Sequence, residues 1–508
     1  MARVVVIGAG MGGMAVAARL SVKKHDVTIV EQSHTYGGKL GTVERDGFVF
    51  DTGPSLLTIP AVYRDLFNKT GGPLEKSVDL VDLDPAFGYH FSDGTQLDMP
   101  GFGVGRCAAA MQDAFGGTAG DDWRAFSARA ADIWQITRRP VLESPLSGMR
   151  DMLPLAKDLS AIRTVAPFTS LRSLESDYLR DPRQRTLVDR YATYTGSDPR
   201  KAPAALATVP YVEQTFGAYH VAGGIRRLAD ALYERVLERG VSVRFNADVS
   251  AIIVENKGVT GVRLTDGEIL PADIIVSNVD ARHLYSDLID DPRAKSALSA
   301  LDRATPSLSG FVLLIAARGR TPNIRHHNVW FPPNYDDEFD SIFGKNPRPV
   351  PDPTIYACVP DDDHMRPDSN HESWFILVNA PRHSTTAKPG TIDWTTPGLS
   401  DAYRDQILTV LAERGVDLRE RALWTITRTP ADLEQATRAP GGSIYGTSSN
   451  GARAAFLRPS NVSPIPGLYL VGGSAHPGGG LPLVGMSAEI VANVIGRDGE
   501  PTPGRALH

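Results

Sequence analysis

Cysteine is almost absent from this chain, with only Cys107 and Cys358 among 508 residues. Two cysteines in so long a chain exclude a disulfide framework and a cysteine-rich zinc site. Their scarcity is typical of a reducing compartment, so we expect a cytoplasmic protein. The apolar stretch Val4–Leu20 does not alter this expectation, because its four glycines make it a poor signal helix.

Long apolar runs and a strong charge bias are also missing. No window approaches the ~18 consecutive apolar residues that a transmembrane helix needs. The 53 basic and 59 acidic residues give a formal net charge of −6, which does not indicate a nucleic-acid partner. With 42% hydrophobic and 22% charged residues, the composition excludes a disordered chain, a coiled coil and a collagen. The length predicts about two to four structural units.

The amino end carries the sharpest pattern in the sequence. The β-branched run Arg3–Ile7 predicts a strand buried on both faces. It leads through the glycines of 8–13 into a good helix former, Met14–Leu20, and then into a second strand, Asp26–Glu31. Strand, glycine turn, helix and strand ending in an acid together predict a dinucleotide site. The alternative is a glycine-rich turn that holds no ligand.

Each part of this pattern has a physical reason. Gly8 permits a tight turn, Gly10 lets the backbone approach a pyrophosphate, and Gly13 lets the helix lie against the strand. The amino end of the helix offers unpaired N–H groups and partial positive charge to phosphates. The carboxylate of Glu31 stands where it can bind both ribose hydroxyls, and this disfavours the 2′-phosphate of NADP.

The next stretch separates the two remaining dinucleotides, NAD and FAD. Gly37-Gly38-Lys39 places flexible backbone and one cation beside the phosphate region, and a Gly53-Pro54 turn follows the short strand before it. NAD enzymes do not need this continuation, so the pattern favours FAD.

The chain then leaves this unit and returns to it. We predict a hairpin over 87–99, helices over 105–200, a helix opened by Gly223-Gly224 and ended at Gly240, and strands over 241–276. Residues 290–440 mix strands, prolines and acids without a sharp motif. A last strand and glycine loop over 467–485 repeat the phosphate-binding pattern, and a helix is expected over Ser487–Ile495.

These motifs resemble the bacterial phytoene desaturase family, which consists of FAD-dependent carotenoid desaturases and relatives within the glutathione-reductase-like and amine-oxidase-like flavoproteins. The resemblance spans the chain and is carried by Val5-Val-Ile-Gly-Ala-Gly10, Gly37-Gly-Lys39, Phe50-Asp-Thr-Gly-Pro-Ser55, Val276-Ser-Asn278, and Leu468-Tyr-Leu-Val-Gly-Gly473 with His476-Pro-Gly-Gly-Gly480. It implies an α/β fold: a Rossmann-like FAD-binding domain assembled from discontinuous segments, plus an α+β substrate domain with a membrane-associating helical part. We expect FAD-binding segments at 1–80, 223–290 and 441–508, and substrate segments at 81–222 and 291–440.

The resemblance also implies which residues hold FAD. They are Gly8, Gly10, Gly12 and Gly13 for the pyrophosphate, Glu31 for the ribose, Gly38, Lys39, Gly53, Pro54 and Ser55 for the flavin and its phosphates, Val249 for adenine, Gly472, Gly473 and Ser474 for phosphate and ribityl, and Leu481, Pro482, Leu483 and Val484 beside the isoalloxazine. Related flavoproteins often have an aspartate near Gly473. This chain has Gly-Gly-Ser there, so that contact must come from the backbone or a hydroxyl.

The chemistry implied is desaturation of a lipophilic polyene. A hydride and an adjacent proton must leave the substrate, and flavin N5 accepts the hydride. We expect His220, and after it His476, as candidates for a catalytic base, whereas Asp51 is expected to fix a turn. His326-His327 and the pair His364 and His371 do not argue for a metal, so we expect no metal site. A quinone or oxygen would reoxidise the flavin.

A basic region with a helical apolar pattern raises the question of membrane contact. Residues 124–190 contain twelve basic and eight acidic side chains. An apolar face recurs within it at Met152, Leu155, Leu159, Ile162 and Ala166, with Arg150 and Lys157 on the far side. Such a helix either lies in a bilayer interface, as a peripheral membrane contact where a lipid-dissolved substrate could enter, or packs on its own protein.

Three classes of function remain open. The first is a carotenoid desaturase-like flavoenzyme. The second is another FAD-linked oxidoreductase, isomerase or saturase of the same superfamily. The third is a non-enzymatic binder of prenyl or lipid cargo, against which the intact Glu31 and the Gly-Gly-Lys motif argue.

Overall fold

The computed structural model describes residues 1–146, 151, 157–386, 388–451 and 454–496. The strands are β1 (Arg3–Ile7), β2 (Asp26–Val30), β3 (Thr42–Arg45), β4 (Phe48–Asp51), β5 (Leu57–Thr58), β6 (Leu80–Asp82), β7 (Phe87–His90), β8 (Gln96–Met99), β9 (Ala218–Val221), β10 (Ser242–Arg244), β11 (Val249–Glu255), β12 (Gly258–Leu264), β13 (Ile269–Pro271), β14 (Ile274–Ser277), β15 (Ser309–Arg318), β16 (His327–Trp330), β17 (Ile355–Cys358), β18 (His371–Ala380), β19 (Arg382–His383), β20 (Thr391–Ile392), β21 (Ala422–Arg428) and β22 (Leu468–Leu470).

The helices lie mostly between and beyond these strands. They are α1 (Met11–Val22), α2 (Ala61–Thr70), α3 (Val104–Phe115), α4 (Ala119–Thr137), α5 (Leu159–Val165), α6 (Leu171–Tyr178), α7 (Pro182–Ala192), α8 (Thr208–Phe216), α9 (Arg226–Glu238), α10 (Ala281–Asp287), α11 (Lys295–Arg303), α12 (Asp336–Phe343), α13 (Leu399–Glu413), α14 (Pro430–Thr437), α15 (Ala454–Leu457) and α16 (Leu481–Ile495).

A five-stranded parallel sheet, ordered β10-β2-β1-β14-β22, forms the first half of the molecule. Its central strand β1 is buried on both faces, as its composition predicts. Val4 and Val6 pack against α1, α9 and α16, whereas Val5 and Ile7 pack against the antiparallel meander β11-β12-β13 and α10. The α/β fold and the assembly of this sheet from distant stretches of chain therefore agree with expectation. The boundaries of the five segments remain a prediction.

A seven-stranded mixed sheet, ordered β21-β15-β18-β17-β16-β7-β8, forms the second half. The predicted hairpin over 87–99 is confirmed as its antiparallel edge pair β7 and β8. Its two longest strands, β15 and β18, pair along their full length and were not recognised in the sequence. The apolar run in β15 was the available signal, because a strand buried on both faces loses its alternation of polar and apolar residues.

Helices fill most of the predicted helical region, but two expectations need correction. Of the apolar face expected over Met152 to Ala166, the described residues 157–166 contain the helix α5, and Ala166 ends it with a left-handed φ of +48°. Arg150, Met152 and Leu155 lie outside the described residues. The last helix begins at Leu481 rather than Ser487, because Pro482 occupies the first turn, where its missing N–H costs nothing. Across the described part of the chain, no helix is long and apolar enough to cross a membrane.

Candidate functional site

A cavity of about 670 Å³ opens along one edge of the parallel sheet. Four neighbouring strands, β2, β1, β14 and β22, contribute to its wall the residues that follow their carboxyl ends: Glu31, Gly8, Asn278 and Gly472. The opposite wall comes from β15, β17 and β18 of the mixed sheet. Ligands of open parallel sheets bind at this edge, because the loops and helix amino ends converge there.

The glycine turn after β1 forms a cradle that side chains would fill. Gly8 has a φ of +96°, which only glycine adopts without strain. A Cβ on Gly13 would lie 2.1 Å from the carbonyl oxygen of Gly8, so α1 begins in direct contact with the turn. A Cβ on Gly12 would lie 2.5 Å from Oδ1 of Asn278 and 3.2 Å from the backbone of Gly472. The cradle is therefore open only because these positions carry no side chain.

The amino end of α1 has the properties of an anion site. Its N-cap is Gly10, no side chain caps it, and no acidic residue lies in its first turn. The first N–H groups of a helix lack partners within the helix. Together with the helix dipole, these groups favour a phosphate. The cradle and the helix end thus fit the pyrophosphate of a dinucleotide.

The carboxylate of Glu31 ties the glycine turn to the end of β2. It accepts hydrogen bonds from the backbone N–H groups of Ala9 (2.7 Å) and Ser33 (2.9 Å). Val249 lies farther along the same wall, beside Asp248, which makes two hydrogen bonds of 2.8 Å with Arg438. This end of the cavity combines a carboxylate with apolar surface, which suits a ribose and an adenine.

The carboxy-terminal loop is held in place by two cations. Arg458 donates to the carbonyl oxygens of Tyr445 (3.0 Å) and Gly473 (2.9 Å), and burial lowers its pKa to about 10. Lys39 donates from Nζ to the carbonyl oxygen of Ile444 at 2.6 Å, and burial lowers its pKa as well. These contacts fix the loop that follows β22 beside the glycine turn.

Asp280 is a site residue that sequence reasoning missed. It lines the cavity as the N-cap of α10, and burial raises its pKa. The neighbouring Ser474 accepts a hydrogen bond from the N–H of Ala281 at 3.0 Å. The Gly-Gly-Ser at 472–474 led us to expect only backbone or hydroxyl contacts there, but Asp280 supplies a carboxylate from another strand end. The polar residues that end the buried run at 276–280 were the available signal.

The structure brings nearly all predicted cofactor residues to this one cavity. Those that line it are Gly8, Gly10, Gly12, Glu31, Gly38, Lys39, Gly53, Pro54, Ser55, Val249, Gly472, Gly473, Ser474, Leu481, Pro482, Leu483 and Val484. Gly13 lies behind the wall, where it packs on the turn. Their individual roles remain predictions.

The two histidines expected as catalytic bases do not line the cavity. His220 is buried in β9, and its Nε2 lies 2.8 Å from a carboxylate oxygen of Asp362. His476 lies 3.1 Å from the carbonyl oxygen of Ser144, and burial lowers its pKa to about 4. Neither placement gives the imidazole direct access to a substrate carbon. Asp51 accepts from the N–H groups that open α9 and so fixes a turn, as its position suggested.

The rest of the cavity is an apolar passage that contains one buried cation. Its apolar lining includes Leu56, Ile59, Trp134, Leu142, Leu206, Val209, Val212 and Phe375. Arg190 is 6% exposed and lines the same space. Its guanidinium lies 5.0 to 5.9 Å from the ring centres of Phe87, Tyr89, Tyr194 and Tyr356. No motif marked this arginine, because its four aromatic neighbours come from three distant stretches of sequence.

Arg190 keeps hydrogen-bonding capacity that the protein does not use. Within the described residues, its one hydrogen bond runs from Nη1 to the hydroxyl of Tyr194 at 2.8 Å, and no carboxylate lies within ion-pair distance. The nearest acid in this group, Glu213, instead accepts from Tyr191 at 2.6 Å. A buried guanidinium with free donors is costly unless a ligand satisfies it.

Comparison with known proteins adds three findings. The family model described as flavin containing amine oxidoreductase matches residues 11–495. The chain is 31% identical over 507 residues to the 4,4'-diapolycopene oxygenase of a Methylomonas species, covering 98% of both chains. It is 33% identical over 500 residues to the hydroxyneurosporene desaturase of Rubrivivax gelatinosus, covering 97% of this chain and 93% of the relative.

The fold also has solved counterparts. A structure of putrescine oxidase bound to putrescine superposes with a TM-score of 0.63 at 15% identity, and the match covers 97% of this chain and 99% of that one. At this level of identity, the match concerns the fold alone.

Proposed function

This chain belongs to the family of flavin-containing amine oxidoreductases, and from that membership we propose that it desaturates a carotenoid or a similar long polyene. The family resemblance expected from the motifs is confirmed, and with it an FAD-dependent oxidoreductase. The observation that carries the proposal is the cavity itself. A phosphate cradle, a section lined by the residues predicted to contact the flavin and an apolar passage form one continuous space.

The residues present fit FAD. The cradle of Gly8, Gly10 and Gly12 would hold the pyrophosphate, Glu31 the ribose, and the first turn of α16 one face of the isoalloxazine. When bound, the oxidised flavin supplies a two-electron acceptor for hydride. The protein orients the substrate, excludes water and provides a route for the proton that is released.

The apolar passage would supply most of the affinity for the substrate. Burying ~400 Å² of polyene at ~25 cal/mol per Å² contributes about 10 kcal/mol before the costs of association. Few polar contacts are then needed, which explains why the central part of the sequence carries no sharp motif.

Arg190 favours a substrate that carries oxygen near the bound end. Its free donors would bind a hydroxyl or carbonyl, whereas its charge would repel the cationic amine that other members of this fold oxidise. One of the two relatives, the hydroxyneurosporene desaturase, carries a name that refers to a hydroxylated polyene. An aromatic cage is present in this protein, but its own arginine fills it.

The decisive experiment mixes the yellow holoenzyme with polyenes in liposomes under anaerobic conditions. Desaturation predicts bleaching of the oxidised flavin together with a red shift of the polyene spectrum. An isomerase would change the polyene without net flavin reduction, and a carrier would change neither. Either of these outcomes would refute the proposal.

The preference for oxygen is tested with Arg190→Met. We expect kcat/KM for a hydroxylated polyene to fall about 10- to 100-fold, because a hydrogen bond to a charged group contributes ~1.5–3 kcal/mol. The hydrocarbon analogue should lose much less. Arg180→Met, at a side chain that is 75% exposed, is the matched control. Equal losses for both polyenes would contradict the assignment.

A peripheral membrane contact completes the proposal. Leu159 and Phe168, at either end of α5, are 80% and 90% exposed, and Arg163 lies between them. The carbonyl oxygen of Arg163 accepts a hydrogen bond from Arg129 of α4, the helix that also brings Trp134 to the cavity. We propose that a lipid-dissolved polyene enters here, and that a quinone or oxygen reoxidises the flavin.

A further inference from the structure

A line of hydrogen-bonding side chains begins at the cavity wall. Ser55 and Tyr356 both line the cavity, and their oxygens lie 2.6 Å apart. The hydroxyl of Tyr356 lies 2.8 Å from Nδ1 of His327, which is fully buried behind the wall. Two hydroxyl groups of the cavity wall are therefore linked to an imidazole that is fully buried behind it.

The protonation states give this line a direction. Burial, with the charges of the neighbouring histidines and of Arg190, lowers the pKa of His327 far below its usual range, so the ring is neutral. We assign Nδ1 as the acceptor from the Tyr356 hydroxyl, which in turn accepts from the Ser55 hydroxyl. The proton of His327 then lies on Nε2, an atom without a hydrogen-bond partner among the described residues.

Two further histidines continue the line away from the cavity. The ring centre of His326 lies 4.6 Å from that of His327 and 4.6 Å from that of His220. Nε2 of His326 is also buried without a partner, and burial lowers the pKa of this ring to about 3. Each unpartnered buried nitrogen costs about 1–3 kcal/mol, so a packing role alone explains the pair poorly.

The line ends at the surface through an ionised carboxylate. His220 and His364 contact separate oxygens of Asp362, at 2.8 and 3.0 Å. Although burial opposes ionisation, the hydrogen bonds from His220, the N–H of Gly223 and His364 hold the pKa of Asp362 well below its usual range. The His364 side chain is 76% exposed. Hydrogen bonds thus join Ser55, Tyr356 and His327 at the cavity end and His220, Asp362 and His364 at the solvent end. Between these two groups the imidazole rings of His327, His326 and His220 are in contact without a hydrogen bond.

We propose that Ser55, Tyr356, His327, His326, His220 and Asp362 form a proton relay that carries the substrate's proton out of the dry cavity. The inference rests on the proposed desaturation. One C–H bond breaks with its electron pair leaving as hydride to the oxidised flavin. The neighbouring C–H bond breaks with its pair forming the new C=C bond, and its proton passes to the Ser55–Tyr356 pair. Each proton in the line then moves one step outward, and water receives the last one. The rings of His327, His326 and His220 turn during this transfer to form the two hydrogen bonds that the structure lacks between them.

This arrangement changes the role of His220. As a direct base it lies on the wrong side of the wall, but as a relay residue it connects the buried histidines to Asp362. A metal is the competing occupant, since candidate ligand atoms of His326, His327 and Cys358 lie within 4.8 Å of one another. The positive charge of Arg190 near His327 disfavours a second cation there.

The test uses Tyr356→Phe, which keeps the ring beside Arg190 and removes only the hydroxyl. Single-turnover flavin reduction by a polyene should slow about 100-fold or more, with unchanged FAD content, and the solvent isotope effect should change. Tyr403→Phe, which changes a buried core tyrosine of α13, is the matched control and should not differ from wild type. Imidazole should rescue His327→Ala by filling the space that the ring leaves.

A second readout does not depend on turnover. ¹⁵N NMR of histidine-labelled protein should show His327 with its proton on Nε2, and Tyr356→Phe should shift its Nδ1 signal. Three results would each overturn the relay. They are a wild-type rate of flavin reduction in Tyr356→Phe, a proton on Nδ1 of His327, and a stoichiometric metal ion in wild type that is lost in His327→Gln. If no polyene is oxidised at all, the proposed function fails, and the tautomer measurement still decides whether the hydrogen-bonded line exists.

Discussion

Replacing Gly12 by alanine tests the phosphate cradle with a single methyl group. The new Cβ would lie 2.5 Å from Oδ1 of Asn278 and 3.2 Å from the Cα and N of Gly472. The amide of Asn278 cannot simply turn away. Cβ atoms built on Gly10 and Gly472 would each lie 2.6 Å from it, so it is enclosed between two backbone segments, the glycine turn and the loop at Gly472.

The expected magnitude combines two opposing effects. Alanine in place of glycine at a helical position stabilises the fold by about 0.4–1 kcal/mol, because it lowers the conformational entropy of the unfolded chain. Overpacking in a rigid site costs about 1–3 kcal/mol. We therefore expect Gly12→Ala to lower the free energy of unfolding by up to about 2 kcal/mol. Displacement of the cradle should weaken FAD binding at least about tenfold.

Gly105→Ala is the matched control. Gly12 and Gly105 are each the second residue of a helix whose N-cap is a glycine, but a Cβ on Gly105 meets nothing within 4 Å. The control should gain stability and keep its FAD. Flavin absorbance of the purified protein, fluorescence titration of the apoprotein and chemical denaturation measure both quantities.

The double variant Gly12→Ala/Asn278→Ala locates the clash. Adding Gly12→Ala to Asn278→Ala should weaken FAD binding less than adding it to wild type does. In the Asn278→Ala background the new methyl group meets only the backbone of Gly472. If Gly12→Ala binds FAD as tightly as wild type and unfolds no more easily, the cradle has been assigned to the wrong surface.

The remaining predictions concern the ribose carboxylate, a buried acid and the exposed apolar surface. Glu31→Gln should weaken FAD binding about 10- to 100-fold in a fluorescence titration, because an amide oxygen replaces a carboxylate that accepts two backbone N–H groups. Burial raises the pKa of Asp51 from 3.8 to about 6, so the folded state holds this proton more tightly than the unfolded chain. Its contribution to stability is present below about pH 4 and is lost as the pH rises through about 6. The free energy of unfolding of wild type should therefore fall relative to that of Asp51→Asn over this interval. Curves of unfolding free energy against pH that stay parallel for the two proteins would contradict this. The double variant Leu159→Ser/Phe168→Ser should reduce co-sedimentation with vesicles several-fold. The control Ile269→Ser, at a residue that is 54% exposed on β13, should not. Equal vesicle binding by wild type and both variants would place the membrane contact elsewhere.

Local patterns allowed the first half of the molecule to be predicted. The run Arg3–Ile7 is buried on both faces, the glycine turn needs residues without side chains, and Glu31 ends the second strand. Each of these features depends on neighbours within about 25 residues, so spacing alone reveals it. The mixed sheet gave a weaker signal, because β15 pairs with residues of β18 and β21 that lie 53 to 116 positions further along the chain.

By itself, the sequence indicated the cofactor and the parallel sheet, and nearly all the residues predicted to hold FAD line one cavity, because phosphate binding requires particular residue types at fixed local spacing. Only the tertiary structure decided which polar groups face that cavity. Ser55 and Tyr356 are 301 positions apart, and His220 and Asp362 are 142 apart, yet both pairs are within hydrogen-bond distance. A histidine has no local pattern that says which side of a wall it occupies. The packing of the two sheets decides on which side of the cavity wall a side chain lies. Here this packing places His220 and His476 behind the wall, whereas Arg190 lines the cavity.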